Sequence, residues 1–322
     1  MIISKTPCRV SFAGGGTDIY DYYNQDYGAV ISTSIDKYIY VAVNKKFDNS
    51  VRVSYSETEN VDSVGAIKHN VIREALKFTH VNKIEIVTIS DIPGKGTGLG
   101  SSSSLAVGVL NALYAYKGVF RSKELLAREA THLEIDLLNQ PIGKQDHYAA
   151  AYGGLNYIRF NPEGTVLVEP LSLTENQMTT LQGNLLYFYT GITRSSSDIL
   201  KEQKNNIVER RKVLDDMRDS TEEMRYALKM SDFTRFAEIM DEGWKNKKKL
   251  ASMVTDTIID DYYDAAKKAG ALGGKINGAG GGGFFTFYCE PSKQQAVRDA
   301  LITLKEVDMK FETGGSRIIF SE

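Results

Sequence analysis

Cysteine, tryptophan and proline are scarce in this chain of 322 residues, which has two cysteines, one tryptophan and six prolines. Cys8 and Cys289 lie far apart, each inside an apolar run, so we expect no disulfide framework and a reducing compartment. No segment approaches the roughly 18 apolar residues that a membrane span needs, and the N-terminus carries no basic leader. We therefore expect a cytoplasmic protein without a membrane partner.

An excess of charge of either sign is also lacking. The 39 Lys and Arg residues and 41 Asp and Glu residues leave a net charge of −2. Nucleic-acid binders usually carry a basic excess or a basic stripe, so we expect no nucleic-acid partner. The longest basic cluster, residues 245–249, is short and favours a solvated helix face. The sequence leaves a homodimer open.

Length and a hydrophobic content of 42% fit a globular protein of two packed domains. Strand-like runs such as RVSF and KYIYVAV open the chain, and helical spacing over 66–78 is followed by alternation over 83–90. From about residue 176 the character changes to a buried strand and a long, charged helical segment. Near the end we predict a helix opened by a capping box at Ser292 and Gln295, followed by a final hairpin or strand pair.

The string PGKGTGLGSSSS, residues 93–104, lies between the strand predicted over 83–90 and a helix predicted from about Ser101. A helix N-terminus presents unpaired N–H groups and a positive dipole end, and glycines let an anion approach the backbone. The order of elements therefore indicates a phosphate site. For the loop taken alone, a glycine-rich turn followed by serine N-caps is an equal alternative.

Two common nucleotide motifs do not account for the glycines. The chain has no G-x-x-x-x-G-K-[ST] string. A G-x-G-x-x-G string occurs at Gly278, Gly280 and Gly283, but a predicted strand follows it where a dinucleotide-binding loop requires a helix. The glycine run NGAGGGG instead favours close approach of the backbone to a neighbour or a ligand.

Three strings together are similar, in order and separation, to the three motifs of the GHMP kinases: RVSFAGGGTD, PGKGTGLGSSSS and KINGAGGGGF. The resemblance covers essentially the whole chain. It implies an α+β fold with a ribosomal-S5-like N-terminal domain (1–175), a ferredoxin-like C-terminal domain (176–322) and the active site in the cleft between them. It also implies ATP as the donor and Mg²⁺ as cofactor. The residues it assigns to the ATP phosphates are Gly96, Gly98, Leu99, Gly100, Ser101, Ser102 and Ser103.

The same resemblance implies roles for individual side chains. Ser102 and Glu134 would bind Mg²⁺, Asp146 would face the acceptor hydroxyl, and Arg9 would stand beside Asp146 and stabilise negative charge. From the residues alone, Glu134 could be a surface carboxylate, Asp146 a helix N-cap and Arg9 an edge-strand ion-pair partner. His147 follows Asp146 in sequence, and we assign it no role.

The string AGGGTD departs from the Gly-Glu-His-Thr-Asp string of galactokinases, since Gly15 and Gly16 replace the Glu and His while Thr17 and Asp18 remain. The loss of two side chains opens space for a longer or phosphorylated acceptor, although a tight turn also favours glycine. Within the family the chain most resembles the kinases of D-glycero-D-manno-heptose 7-phosphate. Arg194 and the adjoining serines Ser195 to Ser197 at a predicted helix start could bind the acceptor's phosphate, although the serines could equally be N-caps. Lys247 and Lys248 could also reach that phosphate, but a solvated helix face is the favoured interpretation for them. The full set assigned to the acceptor is Gly15, Gly16, Thr17, Asp18, Arg194, Gly280 and Gly281.

Two other functions stay open. A galactokinase-like or fucokinase-like enzyme acting on a free sugar would keep the family and change the acceptor, and an isoprenoid acceptor would need an apolar pocket that GGGTD does not offer. A noncatalytic nucleotide-binding regulatory protein could use the same scaffold. The presence of Arg9, Ser102, Glu134 and Asp146 disfavours that hypothesis. Our leading hypothesis is an ATP-dependent kinase of a sugar phosphate.

Overall fold

The computed structural model describes residues 1–94, 96–193 and 195–322. In this part of the chain the larger sheet has eight strands, and all pairs are antiparallel except β3 with β5. Its strands are β1 (Ile2–Ala13), β2 (Gly28–Lys45), β3 (Val51–Ser54), β4 (Thr58–Val61), β5 (Ile84–Ser90), β6 (Leu155–Phe160), β7 (Val166–Pro170) and β12 (Arg317–Ser321). The strand order is β12-β1-β2-β5-β3-β4, with β6 paired to β2 and β7 to β6.

The smaller sheet has four strands in the order β11-β8-β10-β9, all antiparallel. They are β8 (Leu185–Tyr189), β9 (Gly273–Ile276), β10 (Phe284–Tyr288) and β11 (Lys305–Glu306). The helices are α1 (Tyr20–Tyr23), α2 (Asn70–Thr79), α3 (Ser101–Tyr116), α4 (Lys123–Thr131), α5 (Gln145–Tyr152), α6 (Glu175–Gly183), α7 (Ser196–Asn205), α8 (Arg211–Lys229), α9 (Phe233–Lys247), α10 (Thr257–Ala269) and α11 (Pro291–Ala300). A π-helical turn, His132–Leu137, continues α4.

The long pair of β1 and β2 forms the centre of the larger sheet. The runs AVISTSI and KYIYVAV belong to one strand of 18 residues, β2. Its register against β1 shifts between Pro7 and Cys8, whose partners are Tyr38 and Ile35. A bulge thus absorbs the polar residues Asp36 and Lys37 without ending the strand.

Two apolar clusters hold the fold together. One joins the larger sheet to α3, whose residues from Ala106 to Leu113 are almost all buried, as expected for a helix that is apolar on most of its faces. The other packs the smaller sheet against α9, α10 and α11 around Trp244, Phe285 and Phe287. Both cysteines are buried and free. Within the described residues no helix is long and apolar enough to cross a membrane.

The elements predicted from periodicity are present, with shifted ends. The helix predicted over 66–78 is α2, the strand predicted over 83–90 is β5, and the helical segment 197–250 divides into α7, α8 and α9. The capping box at Ser292 and Gln295 is wrong, because α11 begins at Pro291 after Glu290. Proline is favoured in the first helical turn, where its missing N–H costs no hydrogen bond.

The chain end does not form a hairpin with itself. β12 pairs with β1, so the last strand of the chain lies beside the first strand in the larger sheet. The division of the chain at residues 175 and 176 stays a prediction. In the structure β12, which lies in the predicted C-terminal domain, pairs with β1 of the predicted N-terminal domain.

Two glycine-rich loops meet between the sheets. Gly98 and Gly278 have φ angles of +72° and +70°, and a Cβ on Gly278 would lie 2.5 Å from the Cα of Gly98. The N–H of Phe284 donates to the carbonyl of Thr97 at 3.2 Å. The run NGAGGGG therefore permits close backbone approach, as predicted, and β10 follows it where a dinucleotide-binding loop would have a helix.

Candidate active site

A cleft of about 1260 Å³ opens beside the two glycine loops. Its walls come from β1, the start of α3, the π-helical turn, α5, α7, α9 and the loop after β9. Arg9, Asp18, Ser102, Glu134 and Asp146 all line it. Side chains that are up to 137 positions apart in sequence therefore face one space.

Arg9 and Asp146 form a bidentate ion pair in this cleft. Arg9 Nε donates to Asp146 Oδ1 at 2.6 Å, and Nη2 donates to Oδ2 at 2.7 Å. The Arg9 side chain is only 5% exposed, whereas that of Asp146 is 22% exposed. The two parallel hydrogen bonds fix the carboxylate plane, and its remaining lone pairs face the cleft.

The glycine-rich loop of residues 96–100, which we call the phosphate loop, is hydrogen-bonded to the same arginine. Arg9 Nη1 donates to the carbonyl of Gly98 at 2.5 Å, and the Arg9 N–H donates to the carbonyl of Leu99 at 2.9 Å. Leu99 is fully buried, so its side chain anchors the loop, while Gly96, Gly98 and Gly100 line the cleft. Ser101, Ser102 and Ser103 form the first turn of α3, whose free N–H groups suit an anion.

Glu134 lies on the π-helical turn and is almost completely buried at the cleft wall. Ser102 Oγ donates to Oε1 at 2.6 Å and Ser103 Oγ donates to Oε2 at 2.7 Å. His147 Nε2 lies 2.8 Å from Oε2, and it carries the proton because a carboxylate only accepts. Burial acts to raise the pKa of Glu134, but these hydrogen bonds outweigh it and lower the pKa below its ordinary value.

Asp18 lies in the loop after β1, and its carboxylate is hydrogen-bonded on several sides. Its carboxylate accepts from the N–H of Gly16 at 3.0 Å and from the N–H and side-chain amide of Gln145 at 3.2 and 3.0 Å. Burial, and then the charge of Asp146, raise the pKa of Asp18. Gly15 and Gly16 line the cleft. Thr17 does not, since its hydroxyl holds the carbonyls of Gly14 and Ala29.

Gly280 and Gly281 were expected at the acceptor, but in the structure they contact Val254 and are not among the residues that line the cleft. The N–H of Gly281 donates to the carbonyl of Val254 at 2.7 Å, and a Cβ on Gly280 would collide with the same residue. The cleft is lined instead by Gly278 and Ala279. A run of glycines gives no sign of which members face a ligand and which face the protein.

Sequence reasoning disfavoured one cleft residue, Lys247, and did not single out several others. Lys247 was expected on a solvated helix face, but it is 6% exposed and its Nζ donates to the carbonyl of Gly278. Lys275 Nζ donates to the carbonyl of Ser11 at 2.7 Å. Gln203 and Gln145 face the same space. The only available signal was the helical spacing of Ser196, Leu200 and Gln203, which places them on one face of α7.

Arg194, expected at the acceptor's phosphate, lies outside the described residues. The serines next to it, Ser195, Ser196 and Ser197, do line the cleft. The lining of the cleft also includes Tyr55, Ser56 and Glu57.

Similarity to known proteins shows the family of this chain. Residues 64–154 match the GHMP kinases N terminal domain and residues 224–305 match the GHMP kinases C terminal domain. A D-glycero-alpha-D-manno-heptose 7-phosphate kinase of Campylobacter jejuni is 30% identical over 317 residues, which cover 93% of each chain. The chain belongs to the GHMP kinase family. It is an ATP-dependent sugar kinase with the expected α+β architecture.

Two further comparisons bear on the type of sugar. The crystal structure of a D-glycero-D-manno-heptose 1-phosphate kinase from Bacteroides thetaiotaomicron superposes with a TM-score of 0.83 at 25% identity, covering all of both chains. A galactokinase of Pyrococcus furiosus is 26% identical over 96% of this chain and 94% of its own. Kinases of phosphorylated and of free sugars are thus both among its relatives.

Proposed function

We propose that the protein transfers the γ-phosphoryl group of ATP to the anomeric hydroxyl of D-glycero-D-manno-heptose 7-phosphate, giving the 1,7-bisphosphate for nucleotide-activated heptose. The observation that carries the proposal is the Arg9–Asp146 pair, which lies next to the phosphate loop in a cleft lined by Asp18 and Gly15. Phosphoryl transfer needs an oriented acceptor, a stabilised charge and little covalent chemistry from the protein.

Asp146 is proposed to accept the proton of the attacking hydroxyl. Both of its oxygens accept from Arg9, and each retains a lone pair for a substrate hydroxyl. An anomeric hydroxyl is more acidic than an ordinary alcohol, so a carboxylate is a sufficient base. Arg9 holds that carboxylate in position and adds positive charge beside the phosphate loop, where negative charge develops.

The donor side of the cleft suits a nucleotide triphosphate with Mg²⁺. When bound, the ion would neutralise phosphate charge during transfer. Ser102 and Glu134 offer the oxygen ligands that Mg²⁺ prefers, and the lowered pKa of Glu134 keeps it anionic. No group of three or more His, Cys, Asp or Glu is arranged for a metal among the described residues. That agrees with an ion held by few protein oxygens and by the donor's phosphates.

Two relatives support a phosphorylated heptose as the acceptor, and their names differ in the position of the phosphate. The Campylobacter jejuni protein is named as a 7-phosphate kinase and the Bacteroides thetaiotaomicron protein as a 1-phosphate kinase. A phosphate on position 1 would block the anomeric oxygen. We favour the 7-phosphate because the more similar sequence carries that name.

The test is ADP formation with MgATP and a panel of acceptors: heptose 7-phosphate, heptose 1-phosphate, unphosphorylated heptose, galactose, fucose and mevalonate. Asp146→Asn keeps the shape of the side chain and removes the base, so we expect turnover to fall by ~10²- to 10⁴-fold. Asp299→Asn, on the exposed face of α11, is the matched control. It should behave like the wild type.

Turnover confined to heptose 7-phosphate and lost in Asp146→Asn would support the proposal. Turnover on heptose 1-phosphate would contradict the anomeric acceptor, and turnover on a free sugar would contradict the phosphorylated one. Nucleotide binding without turnover on any acceptor would favour the noncatalytic hypothesis.

A further inference from the structure

Several buried polar side-chain atoms in the cleft have no hydrogen-bond partner among the residues that the structure describes. They are Ser11 Oγ, Gln145 Oε1 and both amide atoms of Gln203. Gln203 is only 1% exposed. Buried polar atoms are nearly always hydrogen-bonded, so a group of unpartnered ones facing a single cleft indicates a missing polar ligand.

These residues surround the glycines that replace larger side chains in galactokinases. A Cβ on Gly15 would lie 3.8 Å from Gln145 Nε2, 3.8 Å from Lys247 Nζ and 3.9 Å from Ser11 Oγ. A Cβ on Gly16 would collide with the amide of Gln203. Polar groups from β1, α5, α7 and α9 thus converge on the space above Gly15 and Gly16.

Lys247 is the cation of this group. It is the last residue of α9 and lines the cleft, and its Nζ donates to the carbonyl of Gly278. In the described part of the chain no carboxylate lies within ion-pairing distance of its Nζ. Arg9, by contrast, is neutralised by Asp146.

The charge of Lys247 is retained near neutral pH. Burial lowers its pKa to about 8, with Asp18 and Asp146 opposing this shift and Arg9 adding to it. Lys275 lines the same cleft, and burial, followed by the charges of Lys247 and Arg9, lowers its pKa well below its ordinary value. A buried cation without an anionic partner is costly, which suggests that the partner arrives with the substrate.

We propose that Lys247, together with Gln203 and the backbone of Gly15, forms the subsite for the non-reacting phosphate of the acceptor. This inference rests on the proposed function. It means that residues other than the proposed base, Asp146, determine the preference for a sugar phosphate over a free sugar. The first turn of α7, with Ser196 and Ser197 in the cleft wall, extends the same side. Ser11 and Gln145 remain for sugar hydroxyls, which can donate to and accept from them.

The experiment is isothermal titration calorimetry without nucleotide, using heptose 7-phosphate and unphosphorylated heptose as the two probes. The variants are Lys247→Met, Lys247→Arg and, as matched control, Lys249→Met. Lys249 is exposed and hydrogen-bonds only Asn246 Oδ1, so its change leaves the cleft intact. Thermal unfolding of each variant checks the fold.

We expect the wild type and Lys249→Met to bind the phosphorylated sugar more tightly. Lys247→Met should weaken heptose 7-phosphate binding by ~10- to 100-fold, the usual loss for a hydrogen bond to a charged group, and spare heptose. Lys247→Arg should retain part of the preference because it keeps the charge.

Equal binding of the two sugars by the wild type, or an unchanged preference in Lys247→Met, would overturn the inference. So would a variant that loses ATP affinity and keeps sugar-phosphate affinity, because Lys247 would then contact the donor. Failure of the proposed function would be seen separately, as absence of wild-type ADP formation with heptose 7-phosphate despite its binding.

Discussion

At the scale of single residues, the backbone angle of Gly100 and two neighbouring side chains together limit which residue type fits at this position. Its φ of +75° lies in the left-handed region, and a Cβ there would lie 3.2 Å from Asp146 Oδ2 and 3.3 Å from Arg9 Cγ. These distances are tighter than most real Cβ contacts. Gly100 is also the N-cap of α3, so a displacement would move the phosphate loop and the proposed base together.

Comparison of Gly100→Ala with Gly118→Ala separates the two effects. Gly118 has a similar φ of +70° but open space around its Cα. Both variants should lose about 1 to 2 kcal/mol of unfolding free energy, the cost of the left-handed conformation. Only Gly100→Ala should also reduce kcat for ADP formation. Urea unfolding and steady-state kinetics measure the two quantities, and equal kcat values would show that the Arg9–Asp146 pair tolerates the methyl group.

At the scale of elements, the first turn of α5 connects three parts of the cleft. Gln145 binds Asp18, Asp146 binds Arg9 and His147 binds Glu134. Consecutive helical residues point about 100° apart, so one turn can reach three partners. The position of the proposed base and that of the proposed metal ligand therefore depend on the same short helix.

His147→Leu tests this connection, since it removes the donor to Glu134 Oε2. We expect the Mg²⁺ concentration for half-maximal activity to rise by ~10-fold, as for other residues that orient a metal ligand. His147→Gln can still donate and should lie closer to the wild type. His132→Leu, which removes an exposed histidine paired with Asp136, is the control. An unchanged Mg²⁺ dependence in His147→Leu, with a lowered Tm, would indicate a packing role only.

At the scale of the whole molecule, a protein of nearly zero net charge buries two lysines in its cleft. Lys247 and Lys275 are each 6% exposed. Because the pKa of Lys247 falls to about 8 on folding, the unfolded chain binds more protons between about pH 8 and pH 10. The contribution of this residue to stability is therefore least favourable below pH 8 and improves as the pH rises through that window.

Lys247→Met should accordingly be more stable than the wild type at pH 7, by about 1 to 3 kcal/mol, because the variant buries no charge. The difference should shrink between pH 8 and pH 10, where the wild-type lysine loses its proton in the folded state. Urea unfolding of both proteins across this range measures it. A constant difference at every pH would mean that the titration of Lys247 does not contribute.

Much of the fold could be predicted because its signals are local. Helix and strand periods placed α2, β5, α3 and β10, and a strand, glycine loop and serine-rich helix start indicated the phosphate loop. Three glycine-containing motifs, by their order and separation along the chain, indicated the family. Residue types were sufficient for that step, because few other residues can perform the chemistry of an arginine, a carboxylate or a glycine.

By itself, then, the sequence determined the elements, the family and the chemical groups of the cleft. Only the tertiary structure decided which glycines face it, that Lys247 is buried, that His147 supports Glu134 and that β12 returns to β1. The physical reason is that burial of a polar side chain depends on residues far away in the chain. A basic run such as KNKKK is the same string on a solvated helix or on one that ends against a glycine loop, and only the packing of α9 beside that loop distinguishes them.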